Sequence, residues 1–263
     1  MMRATRSPQC RRQRGYTLME ILVALFISLF LLVGLFTILQ NTRRSSSQQT
    51  GLALLQDQER MAMSLLNDVI QNAGYFDTNT YQTAQLAWPA AVAVAPTGTT
   101  LAAGQALTGS HTTASPGDVI AVRYATNGTD GVINCNGGTS TTAANYVNTF
   151  FVASTTSGGV TTYNLECSID GVATDAIPLV QGVENIQVWY GVSTTAGTNN
   201  VDTYFTANQM SSSNWSNVTS VRVTLTFVNP LYAAAQSAQQ PQYVYFTRVI
   251  PVQARTGVIG AAL

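Results

Sequence analysis

The 263-residue chain has no lysine, one histidine and three cysteines, and only 9% of its residues are charged. About 25% is usual for a soluble domain. Threonine, serine, alanine, glycine and asparagine supply the surface instead, which suits an exported, assembled protein. All 12 basic residues are arginines, and five of them (Arg3, Arg6, Arg11, Arg12, Arg14) precede Gly15, leaving seven basic against 12 acidic residues beyond it. That remainder lacks the basic stripe of a nucleic-acid binder, so no nucleic-acid partner is expected. Catalytic signals are equally thin. His111 lies in Gly-Ser-His-Thr-Thr, where an exposed loop is expected, with no triad or metal partners grouped around it. There is no G-x-S-x-G elbow, P-loop, G-x-G-x-x-G or H-E-x-x-H. Asp118, Asp130, Asp170 and Asp175 read as turn-capping carboxylates at loop edges. Exported loops do bind calcium through such oxygens, but nothing around Asp170-Gly171 is spaced as an EF-hand. No enzyme activity, cofactor or metal is expected.

What is present is one long apolar run. From Tyr16 to Leu39 the sole charge is Glu20. Ile21 to Leu39 rises about 28 Å as a helix, close to the roughly 30 Å hydrocarbon thickness of a bilayer. A carboxylate in such a segment costs on the order of 2.5 to 3.5 kcal/mol at the helix centre and asks for a partner. A cut after Gly15 would create one: an α-amino group at Tyr16, four residues from Glu20, with a reference pKa of about 8. Glu20 would then stand in the first helical turn, where the dipole favours an anion. A secretory signal peptide would have its small-residue cleavage site after the apolar region, not before it. An ordinary single-pass anchor is the plainest alternative.

Gly15-Tyr16-Thr17-Leu18-Met19-Glu20 followed by this run resembles the cleavage and assembly motif of type IV prepilins and type II secretion pseudopilins. The resemblance implies removal of the leader after Gly15 by a prepilin peptidase, methylation of Tyr16 and registration of subunits through Glu20. The first mature residue in that family is most often Phe; Tyr16 keeps an aromatic there.

The 40–73 stretch is amphipathic. At 100° per residue Gln56, Asp57, Arg60, Ser64, Asn67, Asp68 and Gln71 fall on one arc and Leu52, Leu55, Met63, Leu66, Val69, Ile70 and Ala73 on the other, which Leu54, Met61 and Leu65 widen. Glu59 falls inside the apolar arc, where a solvated side chain at the arc's edge is expected in preference to a second assembly contact. One helix from about Thr17 to Ala73 is expected, with Gly74 as its C′ residue and with Gly34 and Gly51 as weak points. Residues 75–117 read as a largely irregular connection with a short strand near 91–94. Strands are expected at 118–124, 146–153, 162–167, 184–192, 221–228 and 243–252, all rich in β-branched and aromatic residues. Val221, Val223, Leu225 and Phe227 alternate with Arg222, Thr224 and Thr226, predicting one buried face. The loops 136–145, 155–159 and 193–200 separate strands, and 178–182 reads as a turn.

Cys10 lies in the leader. Cys135 and Cys167 remain, either as two free buried thiols or, in an oxidising compartment, as a disulfide. The Asn-Cys-Asn-Gly-Gly loop around Cys135 would gain from an anchor, which favours the bond.

The later segments, PLVQGVENIQVWYGV and SVRVTLTF among them, extend the resemblance to PilW-type minor pilins and, more distantly, to J-type minor pseudopilins. The expected class is α+β: a long N-terminal helix, its first half transmembrane, packed on an antiparallel β-sheet domain in the pilin manner. The expected divisions are a cleaved leader (1–15), a membrane or filament-core half-helix (16–39), an amphipathic half-helix (40–74) and an exported β-rich domain (75–263). The resemblance implies a minor pilin acting in type IV pilus assembly near the tip. Its implied partners are the prepilin peptidase, the inner-membrane assembly platform, the major pilin, other minor pilins and, as a further candidate, a large tip adhesin. The arginine-rich leader places the C-terminal part across the inner membrane from the cytoplasm by the positive-inside rule, before passage to the cell surface. The rivals are a minor pseudopilin of type II secretion and an unprocessed membrane-anchored binding domain.

Overall fold

Helix α1 runs from Leu18 to Gln71, 54 residues without a break at Gly34 or Gly51. The computed structural model describes residues 15–94, 96, 98–170, 175–195, 200–233 and 240–253. The expected leader up to Arg14, with Cys10, lies outside them, as do Gly171 and residues 196–199 of the 193–200 loop.

Two compact units divide the chain, residues 1–50 and 51–263. In the first, every described residue is exposed, Phe26 at 76% and Phe30 at 81% among them. Its hydroxyls are satisfied within the helix: Ser28 Oγ donates to the Ala24 carbonyl at 2.6 Å and Thr37 Oγ1 to that of Val33 at 2.9 Å. Neither group therefore needs an outside partner in an apolar medium.

In the second unit, Leu55, Ala62, Met63, Leu66, Val69, Ile70 and Ala73 turn inward and join one core with both large sheets. The buried stripe is narrower than its sequence: Leu54 and Met61 stay more than half exposed. Gly51 is a site of close approach, not of melting, since a Cβ there would stand 3.0 Å from Pro230 Cβ. The helix stops where Gly74 adopts φ 81°, a conformation that glycine takes without steric cost. Its N–H then donates to the Arg123 carbonyl at 2.9 Å.

After α1 come α2 (Ala84–Ala87), β1 (Ala91–Val94), β2 (Thr99–Leu101), β3 (Leu107–Ser110), β4 (Val119–Thr126), β5 (Ala144–Ser157), β6 (Val160–Ile169), β7 (Ile177–Gln181), β8 (Val183–Val192), β9 (Thr203–Phe205), α3 (Ser212–Trp215), β10 (Val218–Val228) and β11 (Tyr243–Pro251). They form a two-stranded sheet β1-β2, a five-stranded sheet β3-β4-β5-β6-β7 and a four-stranded sheet β11-β10-β8-β9, antiparallel at every ladder pair. Each expected strand is present, and β10 buries Val221, Val223, Leu225 and Phe227 as its alternation predicts.

The 178–182 turn is a correction. Pro178 lies inside β7, opposite Glu166, and is tolerated because β7 is an edge strand. The turn is Gly182 alone, at φ 80°. There the chain crosses from the five-stranded sheet to the four-stranded one. A second seam joins the sheets where Gly117 pairs in parallel with Ile186. Gly117 has φ 99°, and a Cβ on it would strike the Ile186 carbonyl and the Asn185 amide oxygen.

Candidate processing and assembly site

Gly15 and Tyr16 lead into α1 without regular secondary structure, with Tyr16 79% exposed. Thr17 occupies the N-cap position and Glu20 the third helical position. The Glu20 N–H reaches the Thr17 carbonyl at 3.0 Å and Thr17 Oγ1 at 3.4 Å. This T-x-x-E spacing is that of a capping box, a signal legible in the sequence but overlooked there. Glu20 is exposed, and among the described residues its carboxylate has no ion-pair partner. The first turn therefore offers one uncompensated anion beside Tyr16, ahead of an apolar surface that nothing in its own unit covers.

In the second unit Cys135 and Cys167 are joined, with Cα atoms 6.4 Å apart and a sequence separation of 32. Cys135 is further held by its N–H, which donates to Asn148 Oδ1 at 2.7 Å. Asn134 Oδ1 gathers the N–H groups of Asn136 and Gly138, at 3.0 and 2.8 Å, which shapes the loop around the bond. Closing a loop of this length is worth about 3 to 4 kcal/mol in the chain-entropy account.

His111 and Asp118 correct the sequence reading. His111 is only 17% exposed and its Nδ1 stands 2.9 Å from Asp118 Oδ1. Asp118 is buried, accepting from the Thr112 N–H at 2.9 Å and, across the sheet seam, from the Val188 N–H at 2.7 Å. Burial pushes its carboxyl above the usual range, while the Val188 and Thr112 N–H groups pull it back. The pair fastens one sheet to the other. Asp130 does cap a turn, accepting from the Thr126 hydroxyl and the Asn127 N–H.

Arg123 escaped notice inside an apolar strand. It is fully buried and donates to the carbonyls of Pro89, Ala102 and Gln105 at 2.6 to 2.9 Å. Burial draws its guanidinium down to about 10. These bonds organise the 75–117 connection, which has more order than its composition suggests. The available signal was a lone charge within DVIAVRY, since charged residues are seldom fully buried without partners.

An exposed apolar helix start with one unpaired acidic side chain, carried by the same helix that completes a two-sheet core, defines a pilin-like, membrane-capable subunit. Residues 149–256 match the family described as Type IV Pilus-assembly protein W, and residues 10–36 match the prokaryotic N-terminal methylation motif. The chain thus carries a PilW domain behind a methylation motif, and the two together indicate a processed minor pilin. Pilin-like families are structural and generally not enzymatic. No curated protein matches the chain. Among solved structures it is similar to a type IV-like pilin from Thermus thermophilus, at 12% identity and TM-score 0.38, over 76% of this chain and 98% of that one. It is also similar to a chain of the GspK-GspI-GspJ complex of the enterotoxigenic Escherichia coli type 2 secretion system, at 13% identity and TM-score 0.36, over 77% and 97%.

Proposed function

We propose that this minor pilin is cut after Gly15 by a prepilin peptidase, is methylated at Tyr16, and enters a type IV pilus through pairing of Glu20 with an N-terminal amine. The carrying observation is the unpartnered Glu20 carboxylate in the first turn of an exposed apolar helix, on a chain with a PilW domain. Before assembly the helix lies in the inner membrane with the arginine-rich leader in the cytoplasm and the β unit in the periplasm. The assembly platform then lifts it into a bundle of like helices, where burial of its apolar surface at about 25 cal/mol per Å² replaces contact with lipid. The major pilin, the other minor pilins and a tip adhesin are its neighbours near the pilus tip. Its work is assembly, not catalysis.

Glu20→Ala in the native host tests this. Cleavage after Gly15 continues, while the amount of the chain in sheared filaments falls at least about ten-fold, because an amine is left without its counter-charge among apolar helices. Unchanged filament content would overturn the pairing.

A further inference from the structure

Arg222 stands on the face of β10 opposite to the core-facing Val221 and Val223. Its guanidinium carbon lies 4.7 Å from the ring centroid of Trp189 and 4.8 Å from that of Tyr204. Trp189 is its register partner on β8, and Tyr204 comes from β9, opposite Gly191. A Cβ on Gly191 would come within 2.9 Å of Tyr204 Cε1 and would also strike Ser220 Oγ. Glycine at 191 therefore makes room for the Tyr204 ring, whose hydroxyl is 3.2 Å from Ser220 Oγ. Three strands position one cation.

Arg222 is half-buried, and among the described residues it makes no hydrogen bond and no ion pair. Arg60, by contrast, pairs with Asp57, and Arg123 is committed to backbone carbonyls. An arginine stacked on two rings has lost rotamer freedom and part of its hydration, yet keeps its planar fork of donors. A carboxylate fits that fork with two parallel bonds. On the same face, Val249 lies opposite Arg222 and Tyr245 opposite Thr226, exposed at 51% and 65%. An arginine and aromatic anchors flanked by open apolar side chains is the composition of a protein interface core. The exported part of the chain is net acidic, so a fixed cation is the exception on its surface.

We propose that Arg222 is a docking position for an Asp or Glu side chain of a neighbouring protein subunit, with Trp189, Tyr204 and Val249 packing around the pair. This rests on the reading of the chain as a subunit that works beside others.

The test places a photoreactive benzoyl-phenylalanine at Val249 of the full chain in its native host. The expected adduct is with a protein whose cross-linked peptide contains Asp or Glu. Arg222→Glu lowers its yield at least about ten-fold, as loss of one desolvated charge-assisted pair would, and Arg222→Met lowers it similarly. Reversing the partner's acid to arginine restores the adduct against Arg222→Glu. Chain abundance and the Cys135–Cys167 bond report folding in every variant. No adduct, an adduct only with lipid or glycan, or a yield indifferent to Arg222→Glu and Arg222→Met overturns the proposal. The N-terminal peptide from the same cells reads processing separately. A chain beginning at Tyr16 with no adduct sinks the docking position alone, whereas an uncut chain sinks the pilin reading whatever the adduct shows.

Discussion

Among the described residues Arg123 is one of the largest fully buried side chains, and its partners are all backbone carbonyls. Arg123→Met would fill much of the space but leave the Pro89, Ala102 and Gln105 carbonyls without this donor. A loss of about 2 to 3 kcal/mol is expected in denaturant unfolding of the full chain, since hydrogen bonds to a charged donor are each worth roughly 1.5 to 3 kcal/mol and water can re-satisfy carbonyls on the exposed Pro89 and Ala102 and the half-buried Gln105. A loss under about 1 kcal/mol would contradict the role given to it. Asp77 shows the opposite case, a half-buried surface group tuned by hydrogen bonds. The Asn127 side-chain amide, then the Asn79 N–H and the Thr80 hydroxyl, hold its carboxyl down at about 2. Because the folded value is depressed, the contribution of this cap is complete above the ordinary value of 3.8 and fades as pH falls towards about 2. An NMR titration of the Asp77 carboxyl carbon should place its midpoint near 2, and Asn127→Ala should move it upward; a midpoint at 3.8 in the parent chain would remove the cap from the account. Glu20 and Arg123 are both single charges in apolar runs, yet only Glu20 was legible. Its meaning lies in local spacing, whereas Arg123 is defined by carbonyls 18 to 34 residues away, which no pattern along the strand announces.

At the scale of elements, periodicity made the long helix and six of the large-sheet strands readable. It failed for β2, β3, β7 and β9. β2 and β9 have three residues each, too few to show alternation. β3 contains Gly109, which is required because the Tyr190 hydroxyl occupies the space of a Cβ. β7 contains a proline that only its edge position permits. The seams between sheets were also invisible, because they depend on contacts distant in sequence. Gly117→Ala should therefore cost more than the roughly 1 to 3 kcal/mol of a strained φ alone, since the new methyl collides with the Ile186 backbone. Gly131→Ala provides the comparison, with φ 72° and open space around the added carbon. Faster amide exchange at Asp118 and Val188 in Gly117→Ala, and not in Gly131→Ala, would locate the damage at the seam. Equal stability loss in the two variants would show that the seam tolerates the methyl.

For the whole molecule, the division of labour follows from where the charges are absent. The first unit offers an apolar surface with internal hydroxyl bonds and a single unpaired carboxylate at its start. The second closes its core with α1, two large sheets and one disulfide, and leaves Arg222 open on its outer face. Among the described residues, no three His, Cys, Asp or Glu side chains come together as a metal site would need. The central claim is processing at Gly15, which everything about assembly presupposes. Mass spectrometry of the chain from sheared filaments and inner membranes of the native host tests it most directly. A peptide that begins at Tyr16, N-methylated and present in the filament fraction, is the predicted result. A chain that still carries Gly15 ahead of Tyr16 in every fraction would contradict it.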